Sequence, residues 1–351
     1  NSLIKIAAIS FLLTIFWSTS AHAQPQISSF SGSLTDGSTI TINGNSFGTN
    51  GPNIVLFDNF ESGTNGSYIK TGAGSATIGQ WDGIGGGDKP AASLPIYDNR
   101  FKVSGGLASR GNNTVATITN TIDAGSPSYT TFALTSDIFV SYWFYMPSTS
   151  DWPCYNNIQC NDKFVWVVNT STKEDDRVLP ATSGGSRSSL PNLYMFGNNS
   201  YGETALSPSL LLSKGKWYRF WSYLHGAADT TAHEELWVAS PSGEANLVSS
   251  KRVNRTGQIF YTTFTGFSKI YVNSYYDWCN GCTESAPTFD DVYIAIGSGA
   301  RARVEIGDAA TYATSKNLTI ATVTSWSDTS ITATIRQGSF GKFKQCLFIC
   351  N

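Results

Sequence analysis

Charge is scarce in this chain: Asp, Glu, Lys and Arg make up 14% of its 351 residues, 25 acidic against 23 basic, for a net of −2. That balance offers no electrostatic grip on nucleic acid, and no nucleic-acid partner is expected. No Gly-rich segment carries the Lys that would cradle a phosphate, and the 3 His and 6 Cys are not spaced as zinc ligands. Beyond the first residues, apolar side chains nowhere keep helical spacing over three turns, which excludes a helical bundle. Strand-like runs do not alternate with helices, which excludes a parallel α/β plan. After Phe16 no apolar run is long enough to span a bilayer, so no transmembrane anchor is expected.

What is present begins with an export signature. Lys5 precedes an apolar run from Ile6 to Phe16, and Ala21-His-Ala23 places small residues where a signal peptidase reads them. Residues 1–23 are therefore expected to be a signal peptide cut before Gln24, and the product secreted, periplasmic or on the cell surface. Such a compartment permits disulfides. Cys154 and Cys160 bracket a loop-like segment and Cys279 and Cys282 a tight turn, so both pairs are expected to staple loops. The second spacing also suits a redox pair or half a zinc site, but no helix signal follows it and no His lies near. Cys346 and Cys350 on a regular strand would share a face about 13 Å apart, too far for a bond, and their pairing stays open.

The rest reads as strands. Phe139–Met146, Asp162–Val168, Asn192–Phe196, Trp217–Leu224, Glu234–Ala239, Lys269–Asn273 and Phe289–Ile296 are β-branched or aromatic runs bounded by turn residues. Two further pieces flank them. Pro25 to Gly48 forms two short strands around a Gly-punctuated turn, yet the strands that suit them, Ala302–Asp308 and Ser330–Ile335, come only after residue 300. Insertion of a large unit into a loop of a small one explains this order. The expected fold is all-β: a large antiparallel jelly-roll sandwich over residues 57–300, inserted into a small sandwich made of 24–56 and 301–351.

Particular strings carry two resemblances. Thr41-Ile-Asn-Gly-Asn-Ser-Phe-Gly48, Ala302–Gly307 and Trp326-Ser-Asp-Thr-Ser-Ile-Thr-Ala-Thr-Ile335 resemble strands of the immunoglobulin-like IPT/TIG module, with Ile306 where Phe is usual. The insert, with Phe289-Asp-Asp-Val-Tyr-Ile-Ala and Trp217-Tyr-Arg-Phe, is similar to the concanavalin A-like lectin/glucanase superfamily. That superfamily implies a fold shared by lectins, glucanases, lyases and structural domains, so activity must be read from residues.

Retaining hydrolysis needs two carboxylates about 5 to 5.5 Å apart on one face. Glu234-Glu235 and Asp290-Asp291 are adjacent, which on a regular strand puts each pair on opposite faces. A lyase needs an acid-neutralising Arg, Asn or Gln and a proton-abstracting Tyr, His or Lys. His225, Tyr275, Arg219 and Arg177 are the candidates, although the full strings of alginate-type lyases are absent and Lys269-Ile-Tyr-Val-Asn-Ser-Tyr275 only echoes one of them. Binding asks for less: aromatic faces that stack on sugars and polar neighbours. Trp152, Asn273, Tyr275, Tyr276, Asp277 and Trp278 are the candidate ligand residues, whereas Trp166, Trp221 and Trp237 sit in strands where burial suffices. Asp290 and Asp291 could hold a structural calcium, and no cofactor is required. The expectation is an extracellular polysaccharide-binding or adhesion protein with an aromatic-lined groove. Its alternatives are a lyase that cleaves uronic-acid glycans by β-elimination and a structural surface protein without a glycan ligand.

Overall fold

The structure is a computed structural model that describes residues 24–84, 94–111, 128–145, 147–148, 163–169, 177–182, 193–197, 204–205, 213–239, 250–257, 264–275, 287–315, 317–336, 338 and 346–350. Its first strands are β1 (Gln26–Gly32), β2 (Thr39–Asn45), β3 (Asn53–Asp58), β4 (Ile78–Gly79), β5 (Gly83–Ile84), β6 (Ile96–Asp98), β7 (Ala108–Arg110) and β8 (Ser128–Thr135). The middle of the chain adds β9 (Asp137–Tyr145), β10 (Lys163–Asn169), β11 (Arg177–Thr182), β12 (Leu193–Gly197), β13 (Thr204–Ala205), β14 (Trp217–His225), β15 (His233–Ala239) and β16 (Ser250–Thr256). It ends with β17 (Phe267–Tyr275), β18 (Thr288–Ile296), β19 (Arg303–Gly307), β20 (Leu318–Trp326), β21 (Ser330–Thr334) and β22 (Cys346–Cys350).

Two antiparallel sheets form the jelly-roll-like body. One runs β16-β15-β14-β9-β18-β3-β4, with β7 and β6 continuing from the end of β18, and the other runs β13-β12-β11-β10-β17-β8-β5. Period-two alternation decides what lies between them. Phe220 and Leu224 of β14, Tyr142 and Phe144 of β9, Val165 and Val167 of β10, and Ile270 and Val272 of β17 all point inward and are buried in one core, and Phe164 joins them where β10 shifts register. At its centre Phe144 stacks on Phe164 with centroids 4.0 Å apart, and Phe220 and Phe289 meet both rings edge-on. Edge-to-face contacts of this kind add about 0.5–1.5 kcal/mol per pair beyond area burial.

A third sheet has the order β1-β2-β21-β20-β19-β22. Here β2 pairs with β21 from Thr39↔Thr334 to Asn43↔Ser330, so the first and last strands of the chain share one sheet while all of β3 to β18 lies between them in sequence. Its own core gathers Ile40, Ile42, Phe47, Val304, Ile306, Ile331 and Ile335. The strand expected at Ser330–Ile335 is β21, and the start of the longer Trp326–Ile335 string is the turn before it: Trp326 closes β20, the Ser327 amide donates to the Ser330 carbonyl at 2.8 Å, and β21 returns antiparallel. The polar Ser-Asp-Thr-Ser string is thus the turn itself.

The third sheet packs on the outer face of the first through Phe57, Phe139, Trp221, Tyr293, Ala295, Ala300 and Ile320. An ion pair crosses this contact: Arg219 Nη2 lies 2.6 Å from Glu305 Oε1, with the two side chains 2% and 0% exposed. Arg303 Nε is 3.3 Å from the same oxygen, and its guanidinium covers the rings of Phe139 and Trp221.

Candidate functional site

The inward alternation of β10 and β17 leaves Trp166, Lys269 and Tyr271 on the outer face of the seven-stranded sheet, joined by Tyr129 and Thr131 from β8. Strand register sets three aromatics in one row, since Tyr271 pairs with Trp166 on one side and with Tyr129 on the other. Ring centroids are 5.5 Å apart for Tyr129–Tyr271 and 6.4 Å for Trp166–Tyr271. All three rings are half-buried. Lys269 Nζ sits 5.0 Å from the Tyr129 centroid and 5.5 Å from that of Tyr271, and donates to Tyr271 Oη at 3.5 Å.

Gly83 on β5 makes room for this row. A Cβ there would lie 2.5 Å from Tyr129 Oη, so a larger residue would displace the ring. Next to it Asp82 accepts from Gln80 Nε2 at 2.8 Å and from the Thr131 amide and hydroxyl at 2.6 and 2.5 Å. Partial burial raises its carboxyl pKa, but these hydrogen bonds and the Lys269 charge outweigh that and hold it below the usual range. The face thus offers an aromatic platform, one cation, one phenol held beside that cation, and an anionic carboxylate.

Two of the residues expected to act as a lyase, His225 and Arg219, lie on a different sheet from Tyr275 and Arg177. His225 ends β14 in the opposite sheet, where its Nδ1 lies 2.9 Å from Asp137 Oδ1, an atom that also accepts from the Tyr223 hydroxyl. Arg219 faces the third sheet, bound to Glu305 and to Ser141 Oγ, and is buried away from any groove. Both lie on the side of β14 opposite its core-facing Phe220, which is why no strand periodicity could place them beside Tyr275. The backbones of Arg177, Asn273 and Tyr275 belong to β11 and β17 of the seven-stranded sheet, but their side chains fall outside the described residues. Trp152, Tyr276, Asp277, Trp278 and the expected disulfide partners Cys154, Cys160, Cys279 and Cys282 also lie outside them. Cys350 carries a free thiol, pushed up to about 11 by burial.

Asp290 and Asp291 sit at a β-bulge. Phe289 and Val292 both point into the core, so an extra residue lies between them, and Asp291 absorbs it with φ +45°. Asp290 Oδ2 accepts from the Val103 and Ser104 amides at 2.7 and 3.2 Å, and Asp291 Oδ1 from Ser104 Oγ at 2.8 Å, so the pair pins the loop before β7. Among the described residues no group of three or more His, Cys, Asp or Glu could hold a metal ion. Burial pushes both carboxyls up, Asp291 to about 6, and lifts nearby Asp58 to about 7 despite its hydrogen bonds from Trp81 Nε1 and the Phe60 amide.

No family model and no curated protein matches this chain. Its fold is similar to that of solved proteins. One is the alginate lyase Aly36B, a double mutant in complex with alginate trisaccharide (TM-score 0.50, 11% identity, covering 70% of this chain and 99% of that one). Others are the endo-β-1,4-glucuronan lyase of the fungus Trichoderma reesei (TM-score 0.44, 13% identity, 67% and 96%) and the cellulose induced protein Cip1 (TM-score 0.44, 15% identity, 68% and 96%). At these identities the likeness concerns fold: a curled, jelly-roll-like antiparallel body.

Sequence reasoning missed Tyr129, Lys269 and Asp82 and assigned Trp166 to the core. The signal was available in the alternation of Lys269-Ile-Tyr-Val, which puts the cation and the phenol two residues apart on one face.

Proposed function

We propose that the protein binds an acidic polysaccharide along the outer face of the seven-stranded sheet and cleaves it by β-elimination. The observation that carries this reading is the Lys269–Tyr271 pair inside the aromatic row. Aromatic faces suit the apolar sides of sugar rings, and Lys269 supplies the cation that a uronate carboxylate requires. With that carboxylate neutralised, Tyr271 takes the proton from C5. The C5–H electron pair forms the C4=C5 double bond as the C4–O bond breaks, and the proton passes to the departing oxygen. A fold of this kind also carries the alginate-bound lyase, which supports the assignment without supplying its residues.

The companion sheet, read as an immunoglobulin-like module on its strings, buttresses the opposite face, and the unit acts outside the cytoplasm. No helix among the described residues is long and apolar enough to cross a membrane.

Binding without turnover is the second reading, favoured by the Tyr129–Tyr271–Trp166 row taken alone. Incubation with neutral and uronic-acid polysaccharides, scored for unsaturated product by ultraviolet absorbance and for retention on each polymer, separates the two. Product from a uronate polymer supports the lyase, retention with no product supports the binder, and neither on any polymer defeats both.

A further inference from the structure

We infer that the chain carries a second ligand site on the opposite side of the body, in the cleft between the β2–β3 and β18–β19 connections, and that it takes a sugar acid. The cleft has a volume of about 650 Å³ and is walled by Ser46 to Asn50 and Asp328 on one side and by Ser298, Gly299 and Arg301 on the other. Small-molecule sites commonly enclose about 300–1,000 Å³, and they favour junctions between units.

Arg301 is its centre. The guanidinium is fixed from behind: Nη2 donates to both oxygens of Glu235 at 3.2 and 3.3 Å, and the plane lies 4.9 Å from the Tyr223 ring centroid. Glu235 is braced in turn by His233 Nε2 at 2.9 Å. No described hydrogen bond uses Arg301 Nε or Nη1, and the side chain is 41% exposed. A held guanidinium with donors to spare is suited to a planar carboxylate.

The facing wall is equally fixed. Asp328 Oδ1 accepts from the Gly48 amide at 2.9 Å, Trp326 Nε1 donates to the Gly48 carbonyl at 3.0 Å, and the Phe47 amide donates to the Asp328 carbonyl at 3.1 Å. Ser46 is held at φ +59°, a conformation costly for a residue with a side chain. The two walls touch at the floor, where a Cβ on Gly299 would come within 2.1 Å of the Gly51 carbonyl oxygen. Asp328, Thr49, Asn50 and Ser298 line the cleft with groups that pair with hydroxyls. One cation for a carboxylate and several polar groups for hydroxyls describe a sugar acid better than a neutral sugar or a simple anion.

This site shares its ligand chemistry with the reading given for the seven-stranded sheet, so the test separates them by variant. Calorimetric titration with D-glucuronate, using D-glucose as the neutral control, is run on the whole chain carrying Lys269→Ala, which removes the cation of the sheet face, and on the same chain with Arg301→Met or Thr49→Trp added. Thr49 is exposed, so a Trp there fills the cleft without touching Glu235 or Tyr223 and keeps the test valid where Arg301→Met disturbs packing. The inference requires the Lys269→Ala chain to bind glucuronate and not glucose, with affinity reduced at least about tenfold when either cleft substitution is added, the loss of one charge-assisted contact. Glucuronate binding that is absent from the Lys269→Ala chain, or that survives both added cleft substitutions, overturns it.

Discussion

Replacing Glu305 with Ala removes the one acceptor shared by two buried guanidinium groups. Arg219 and Arg303 are 2% and 5% exposed, and both are oriented on Glu305 Oε1, at 2.6 and 3.3 Å. Without the carboxylate both cations stay buried with no ion-pair partner among the described residues, and breaking such a buried pair costs about 3–5 kcal/mol. For a chain of this size that corresponds to a fall in Tm on the order of 10 °C. Charge, rather than lost volume, is the cause, so the triple variant Arg219→Met, Arg303→Met and Glu305→Leu, which removes both cations with their acceptor, recovers most of the loss. The sign with pH follows from the Glu305 carboxyl: burial raises its pKa, but Arg219 and Arg303 outweigh this and hold it below 4.5. Its contribution is present above that ordinary value and disappears as pH falls through the lower folded one. Urea unfolding of the three proteins at neutral pH reads the energies. A loss under about 1 kcal/mol for Glu305→Ala, the size of an exposed pair, or a triple variant no better than the single one, would refute the argument.

Two further outcomes concern stability and the sheet face. Burial lifts Asp58 from 3.8 to about 7, so the folded chain holds that proton more tightly than the unfolded one; its contribution is full below 3.8 and lost as pH climbs through about 7. At about 1.4 kcal/mol per unit the swing is about 4 kcal/mol at most, and urea midpoints measured at pH 5 and pH 8 should fall in that order, with Asp58→Asn flattening the slope. Gly83→Ala pushes on Tyr129 Oη and should weaken retention on the polysaccharide several-fold while circular dichroism stays that of the parent chain; unchanged retention would remove Tyr129 from the platform.

The body of the fold was legible because its strands are bulky and bounded. Phe139–Met146, Trp217–Leu224 and Phe289–Ile296 fall on β9, β14 and β18 within two residues at each end. The pairing of the first and last strands was legible from strings that lack their continuation. Strands such as β8, Ser-Tyr-Thr-Thr-Phe-Ala-Leu-Thr, were passed over because Thr and Ser dilute the apolar signal on a half-exposed sheet face. The site was harder. A strand's period tells which residues share a face but not which face is covered, and the third sheet covers the side of β14 that holds Arg219 while leaving open the face that holds Lys269 and Tyr271. Asp290-Asp291 misled for a local reason: adjacent residues alternate only on a regular strand, and here the bulge absorbs one of them.

The central claim is that the Lys269–Tyr271 pair does chemistry on a uronate polymer. It is tested most directly by the initial rate of unsaturated-product formation from a uronic-acid polysaccharide by the parent chain, Tyr271→Phe and Lys269→Ala, with Tyr223→Phe as a phenol control from the opposite sheet. The account predicts a rate at least about a hundredfold lower in Tyr271→Phe, the usual weight of a positioned acid or base, a raised KM in Lys269→Ala, and little change in Tyr223→Phe. A parent chain that forms product at a rate indifferent to Tyr271 and Lys269, or that forms none from any uronate polymer, contradicts it.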